Sequence, residues 1–133
     1  MILLDTHALI WLDQDLPALG VRSRRAAEKA HKQSRLAVSA ISFWEVAMLV
    51  ARGRISLDRS VTAWRNDLLE LGIEEVALDG ETGVRAAELA DLHGDPADRI
   101  LIATAQTRDW TFMTADDRIL SWKGALRRLD ARR

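Results

Sequence analysis

Four acidic residues, Asp5, Glu45, Asp98 and Asp116, each border an apolar segment that would carry them to a common place. Asp5 ends the run Met1-Ile2-Leu3-Leu4, and Asp116 stands just past Thr111-Phe112-Met113-Thr114. A short unbroken apolar run suits a parallel strand covered on both faces. Both acids therefore fall at carboxyl ends of buried strands. Glu45 and Asp98 fall in the first turns of expected helices. Strand ends and helix starts share one edge of a parallel α/β sheet, the edge at which such sheets bind ligands. Carboxylates gathered there repel and raise one another's pKa, and a divalent cation removes that repulsion. Oxygen donors without His or Cys select hard ions, Mg²⁺ or Mn²⁺. Such a site aligns and activates water for attack on a phosphodiester. Taken singly, each acid also has an ordinary reading as a turn or dipole residue. The shared edge is what joins them.

The elements that must position these acids start with His93 to Gln106. Asp95 suits a helix N-cap, Pro96 suits the first helical position, and Asp98 falls in the first turn against the positive end of the dipole. Ile100-Leu101-Ile102-Ala103 is then apolar on nearly every side, as a buried helix requires. Upstream, Thr6 is a candidate cap for a helix over His7–Leu12. Residues 21–34 read as a helix with Arg22, Arg24, Arg25, Lys29 and Lys32 on a basic face, either solvated or facing phosphate.

Leu36-Ala37-Val38 is a second strand. The following helix, ending at Gly53, carries Ser42-x-x-Glu45, whose spacing also fits a capping box. Ser60 to Leu71 is amphipathic, and Ile73 to Leu78 is a third strand. A helix from Asp79 or Thr82 to Leu92 is expected to turn Val84, Ala87 and Ala90 inward. Arg118 to Trp122 forms a helical turn, and Leu126 to Leu129 a last edge strand. Strands alternating with helices predict an α/β fold, three layers with a central parallel sheet of four to five strands.

The chain has 133 residues, which suits one domain, 1–133, without linkers or repeats. The absence of Cys excludes disulfides, thiolate zinc sites and cysteine nucleophiles. No apolar run approaches the roughly 20 residues of a membrane span, and no signal-like leader is present, so a cytoplasmic protein is expected. The net charge is −1. Nucleic-acid binding must then rest on a local patch or on metal ions.

Four blocks, Asp5-Thr6-His7-Ala8-Leu9-Ile10-Trp11-Leu12, Ser39-Ala40-Ile41-Ser42-Phe43-Trp44-Glu45-Val46-Ala47, His93-Gly94-Asp95-Pro96-Ala97-Asp98-Arg99 and Thr114-Ala115-Asp116-Asp117-Arg118-Ile119, resemble the signature blocks of PIN-domain ribonucleases. The nearest group is the VapC toxins of type II toxin–antitoxin modules. The resemblance spans essentially the whole chain. It implies Mg²⁺- or Mn²⁺-dependent endonucleolytic cleavage of RNA, with Asp5, Glu45, Asp98 and Asp116 as the acidic quartet. Asp5 and Asp98 are the leading metal ligands. Thr6 and Thr114 match hydroxyl positions that orient the acids, and Asp95 matches a position as much structural as catalytic. The resemblance further implies a homodimer and a VapB-like antitoxin whose C-terminal segment covers the site. Trp11 and Trp44 would receive that segment, or else belong to the core. Arg99, Arg22 and Arg25 are the candidate phosphate contacts, with Arg99 alternatively paired to Asp98.

Other chemistries fit less well. A haloacid-dehalogenase-type phosphotransferase needs a second Asp two residues after the first, and His7 stands there. A receiver domain places its phosphoacceptor after a mid-chain strand. A catalytically silent PIN-like binding module is the alternative from another class, and it gives no reason to keep the quartet intact.

Overall fold

A computed structural model describes all 133 residues, Met1–Arg133. Five strands form one parallel sheet in the order β3-β2-β1-β4-β5. They are β1 (Ile2–Leu4), β2 (Leu36–Ser39), β3 (Glu74–Val76), β4 (Thr111–Thr114) and β5 (Arg128–Asp130). The central strand β1 pairs Leu3 with Ala37 on one side and with Phe112 on the other. Seven helices cover the faces: α1 (Thr6–Asp13), α2 (Val21–Lys32), α3 (Ala40–Ala51), α4 (Val61–Glu70), α5 (Gly80–Glu88), α6 (Pro96–Arg108) and α7 (Asp117–Leu120).

The period of two along each strand divides the core in two. Leu4, Leu36, Val38 and Met113 face one layer, where they meet Ala8, Leu9, Ala27, Trp64 and Leu68 from α1, α2 and α4. Leu3, Ala37, Val76 and Phe112 face the other, against Leu101, Ile102, Ala105, Ile119 and Trp122. The strands are therefore buried on both faces, which is why they read as apolar runs rather than as alternating ones. No helix is long and apolar enough to cross a membrane.

Several boundaries differ from expectation for identifiable reasons. Asp5, not Thr6, caps α1: its carboxylate accepts from the Thr6 amide, and Thr6 is the first helical residue. Ser39, not Ser42, caps α3 by accepting from the Ile41 amide, which leaves Ser42 and Glu45 free of any capping box. β5 begins at Arg128, two residues later than expected.

The largest difference is in α5, which stops at Glu88 and buries Thr82 and Ala86. Val84 is 60% exposed, and Ala87 and Ala90 are also outside the core. At that end the Arg99 guanidinium satisfies the free carbonyls, donating to Ala86 O, Ala87 O and Leu89 O. It also reaches Leu92 O and His93 O in the loop that follows. Gly20 marks a close approach at the other end of the chain, since a Cβ there would lie 2.1 Å from the Arg133 carbonyl carbon.

Candidate active site

Five carboxylates, Asp5, Glu45, Asp95, Asp98 and Asp116, line one cleft of about 480 Å³ with His7, Trp11, Ala115 and Arg118. They arrive on four chain segments. Asp5 follows β1, Asp116 follows β4, Glu45 rides the second turn of α3, and Asp95 and Asp98 open α6. Because the sheet is parallel, these endings share its carboxyl edge.

Asp5 sits deepest, at 7% exposure. Its Oδ1 accepts from the Thr6 amide at 2.7 Å, and its Oδ2 accepts from the Thr114 hydroxyl at 2.7 Å. Thr114 Oγ1 in turn accepts from the Asp116 amide at 3.1 Å, so one hydroxyl ties the two strand ends together. The Thr6 hydroxyl donates to Glu45 Oε1 at 2.5 Å and shares a hydrogen bond with Ser42 Oγ at 2.9 Å. Asp95 caps α6 by accepting from the Asp98 amide at 3.1 Å.

On the outer side, His93 Nε2 lies 2.7 Å from Asp98 Oδ2. Its other ring nitrogen, Nδ1, is buried without a partner. An N–H there would be an unpaired buried donor, so the tautomer that fits carries its proton on Nε2 and donates to Asp98. Arg118 forks onto Asp116, with Nη2 at 2.9 Å from Oδ2, and approaches Asp98 Oδ2 at 3.8 Å.

The charges respond accordingly. Burial raises the Asp5 carboxyl above its ordinary value, and the Asp98 charge adds to this against the Thr114 and Thr6 hydrogen bonds. Burial likewise raises Glu45, with Asp5, Asp98 and Asp95 adding to it against the Thr6 bond. Asp98 is raised by burial and by Asp95 and Asp116, against its bond to His93. Asp116 is lowered, because Arg118 stabilises its ionised form. Ligand atoms of His93, Asp98 and Asp116 lie within 4.8 Å of one another, close enough for one ion.

The structure thus brings Asp5, Glu45, Asp98, Asp116 and Asp95 into one cleft, with Thr6 and Thr114 bonded to the deepest of them. The phosphate-contact reading of Arg99 does not survive: its donors are engaged by five backbone carbonyls, facing away from the cleft. Nor does Arg99 pair with Asp98. Arg22 and Arg25 are exposed on α2 and do not line the cleft. Trp11 lines it, while Trp44 is 55% exposed on α3 and is not a core residue. Sequence reasoning missed His93, Arg118 and Ser42. All three lie inside the quoted blocks, and only Arg118, two residues past Asp116, had a spacing that pointed at the site.

Comparison with known proteins bears on the fold and the family. The PIN domain profile matches residues 2–123. Ribonuclease VapC22 of Mycobacterium tuberculosis is 35% identical over 121 residues, which covers 90% of each chain. Among solved structures, VapBC2 from Rickettsia felis bound to a promoter DNA fragment superposes with a TM-score of 0.71 at 17% identity, covering 98% of this chain and 100% of that one. DNA-bound VapBC from Salmonella typhimurium gives 0.69 at 20% identity, covering 97% and 96%. At such identities the structures show a shared fold, and the profile and the closer relative carry the assignment: the chain belongs to the PIN-domain family.

Proposed function

We propose that this protein is a metal-dependent endoribonuclease and the toxin of a type II toxin–antitoxin pair. The observation that carries the reading is the meeting of Asp5, Glu45, Asp98 and Asp116 in one cleft, three of them with carboxyls raised by burial and mutual repulsion. Such a cluster is uncomfortable without a cation, and its carboxylate donors suit Mg²⁺ or Mn²⁺. The name of the 35%-identical relative, a ribonuclease, supports RNA as the substrate.

Asp5 and Asp98 are the leading ligands, with Glu45 and Asp116 completing the quartet. A bound ion of this kind lowers the pKa of a water and stabilises charge on the leaving oxygen. Thr114 and Thr6 hold Asp5 and Glu45 in fixed rotamers, and His93 does the same for Asp98. Trp11 in the cleft offers an apolar surface beside the acids. In hydrolysis, water oxygen attacks phosphorus, a carboxylate of the quartet takes up the water's proton, and the leaving ribose oxygen departs with the bonding pair and takes up a proton from solvent. RNA as substrate implies a cytoplasmic site of action.

The partner reading rests on two supports. Solved neighbours are VapBC complexes. On α3, Trp44, Ala47 and Ala51 are exposed and Met48 is half-buried, an apolar i, i+3, i+4, i+7 stripe beside Glu45. We assign the antitoxin's C-terminal segment to the cleft mouth at Trp11 and Trp44, in the helix-in-groove mode, and expect the toxin to be a homodimer.

Incubation of total RNA with purified protein, with and without EDTA, tests the enzyme. Discrete cleaved ends that vanish with EDTA are expected, as is loss of cleavage in Asp5→Asn and Asp98→Asn. Retained metal-dependent cleavage in both purified variants overturns the assignment. Calorimetric titration with Mn²⁺ separates the enzyme from a silent binding module, which shows no binding that depends on the acids.

A further inference from the structure

A second cleft, of about 580 Å³, adjoins the acidic one and shares Arg118 with it. It is lined by Asp91, Leu92, His93, Arg118, Ser121, Trp122 and Lys123. One wall is the loop after α5, and the other is the segment from α7 to Lys123.

Both walls are braced from behind by arginines bonded to carbonyls. Arg99 holds the first through Leu89 O, Leu92 O and His93 O. Arg128 holds the second through Ile119 O and Gly124 O, the latter at 3.0 Å. The Trp122 indole N–H donates to Ala90 O at 2.9 Å and ties the two walls across the floor. The furrow is therefore built before any ligand arrives.

Its charges are arranged to suit a polyanion leaving the acids. Arg118 is 62% exposed at the shared boundary, and Lys123 is exposed with no carboxylate partner. A phosphate chain cannot approach five carboxylates without cations on the rim. The one opposing charge in the furrow is Asp91, on a left-handed turn with φ of 57°.

Resting on the ribonuclease reading above, we propose that this furrow is a substrate subsite: the ribose-phosphate backbone of single-stranded RNA passes from the acidic cleft over Arg118 to Lys123. The Ser121 hydroxyl donates to Asp117 O at 2.6 Å and keeps only its lone pairs for a ribose hydroxyl along the path, and the apolar surfaces of Leu92 and Trp122 form its floor. Asp91 weakens the hold on the strand.

The test measures anisotropy of a labelled single-stranded RNA on the full chain carrying Asp5→Asn to stop cleavage, over a range of salt concentrations. Adding Lys123→Gln is expected to weaken binding about fivefold at 0.1 M salt and to reduce the slope of log K against log salt by about 0.7. Adding Asp91→Asn is expected to tighten binding. Asn accepts the left-handed backbone of that turn, so the fold is kept. Arg35→Gln, on an exposed cation just before β2, is the control and leaves binding unchanged. Equal melting temperatures show that all variants are folded. If RNA binds but Lys123→Gln and Asp91→Asn both behave as the control does, the furrow is not the path and the ribonuclease reading stands. If the unsubstituted protein neither cleaves nor binds RNA, that reading falls and the subsite falls with it.

Discussion

The acid cluster has two halves built on different chemistry. In the inner half, Asp5 and Glu45 are held by neutral donors: the Thr114 and Thr6 hydroxyls and a backbone amide. Neither carboxylate has an ion-pair partner, His7 being the one nearby group that favours ionised Asp5, and both carboxyls are raised. In the outer half, Asp98 and Asp116 meet His93 and Arg118, and Asp116 is lowered as a result. Hydroxyls fix geometry without cancelling charge, whereas a guanidinium cancels charge by occupying the oxygens. On the proposed function, the inner half is therefore where an outside cation would be gained with least competition, and the outer half is where Arg118 would compete with one.

The comparison breaks most severely at Asp5. Asp5→Asn keeps the shape and the bond to Thr6 but removes the deepest charge. RNA cleavage is expected to fall by at least about a hundredfold, with Mn²⁺ binding lost by calorimetry. Near-normal Mn²⁺ affinity in this variant shifts the ion site to the outer half. Thr114→Val comes next. It leaves Asp5 Oδ2 without its buried donor, a loss on the order of 1–3 kcal/mol, and it unlinks Asp116 from β4. A lower melting temperature together with about tenfold slower cleavage is expected. Unchanged cleavage at a lower melting temperature shows that Thr114 serves only the fold.

Arg118→Met sharpens the other half. Removing the guanidinium from Asp116 and Asp98 is expected to raise Mn²⁺ affinity several-fold while weakening RNA binding. A fall in Mn²⁺ affinity instead shows that Arg118 holds the ligands in place rather than competing for them.

The positions of the acids were readable in the sequence in both halves, because strand ends and helix caps leave local marks. The run before Asp5, the Asp95-Pro96 helix start and the Thr114-x-Asp116 spacing each place an acid at the sheet edge without tertiary information. The ionic partners of the outer half were harder to read. His93 precedes Asp98 by five residues across a loop, a separation with no periodic signature. Arg99 misled because adjacency to Asp98 suggests a pair. Consecutive helical residues do not face each other, however, and its guanidinium turns toward the end of α5. That guanidinium occupies the carbonyls at the end of α5, a tertiary contact that the helix's own periodicity does not announce. For Val84 the pattern alone had no means of choosing the phase.

The smallest predicted effect concerns the protein without metal. Asp5, Glu45 and Asp98 hold protons more tightly folded than unfolded. Their contribution to stability is therefore fully present below the ordinary carboxyl pKa and is lost as pH rises through their folded values. Asp116, Asp79 and Asp130 are lowered and run the opposite way, their contribution being lost as pH falls. Comparing the parent with Asp5→Asn isolates the first group from the second. In EDTA, the melting temperature of the parent is expected to drop by a few degrees relative to the variant as pH rises above the ordinary carboxyl range. Added Mn²⁺ stabilises the folded parent by mass action and closes that gap, but leaves the variant where it was. A parent that instead gains on Asp5→Asn as pH rises in EDTA has a carboxylate already satisfied by the hydroxyls around it, and the inner half then has no need of an ion.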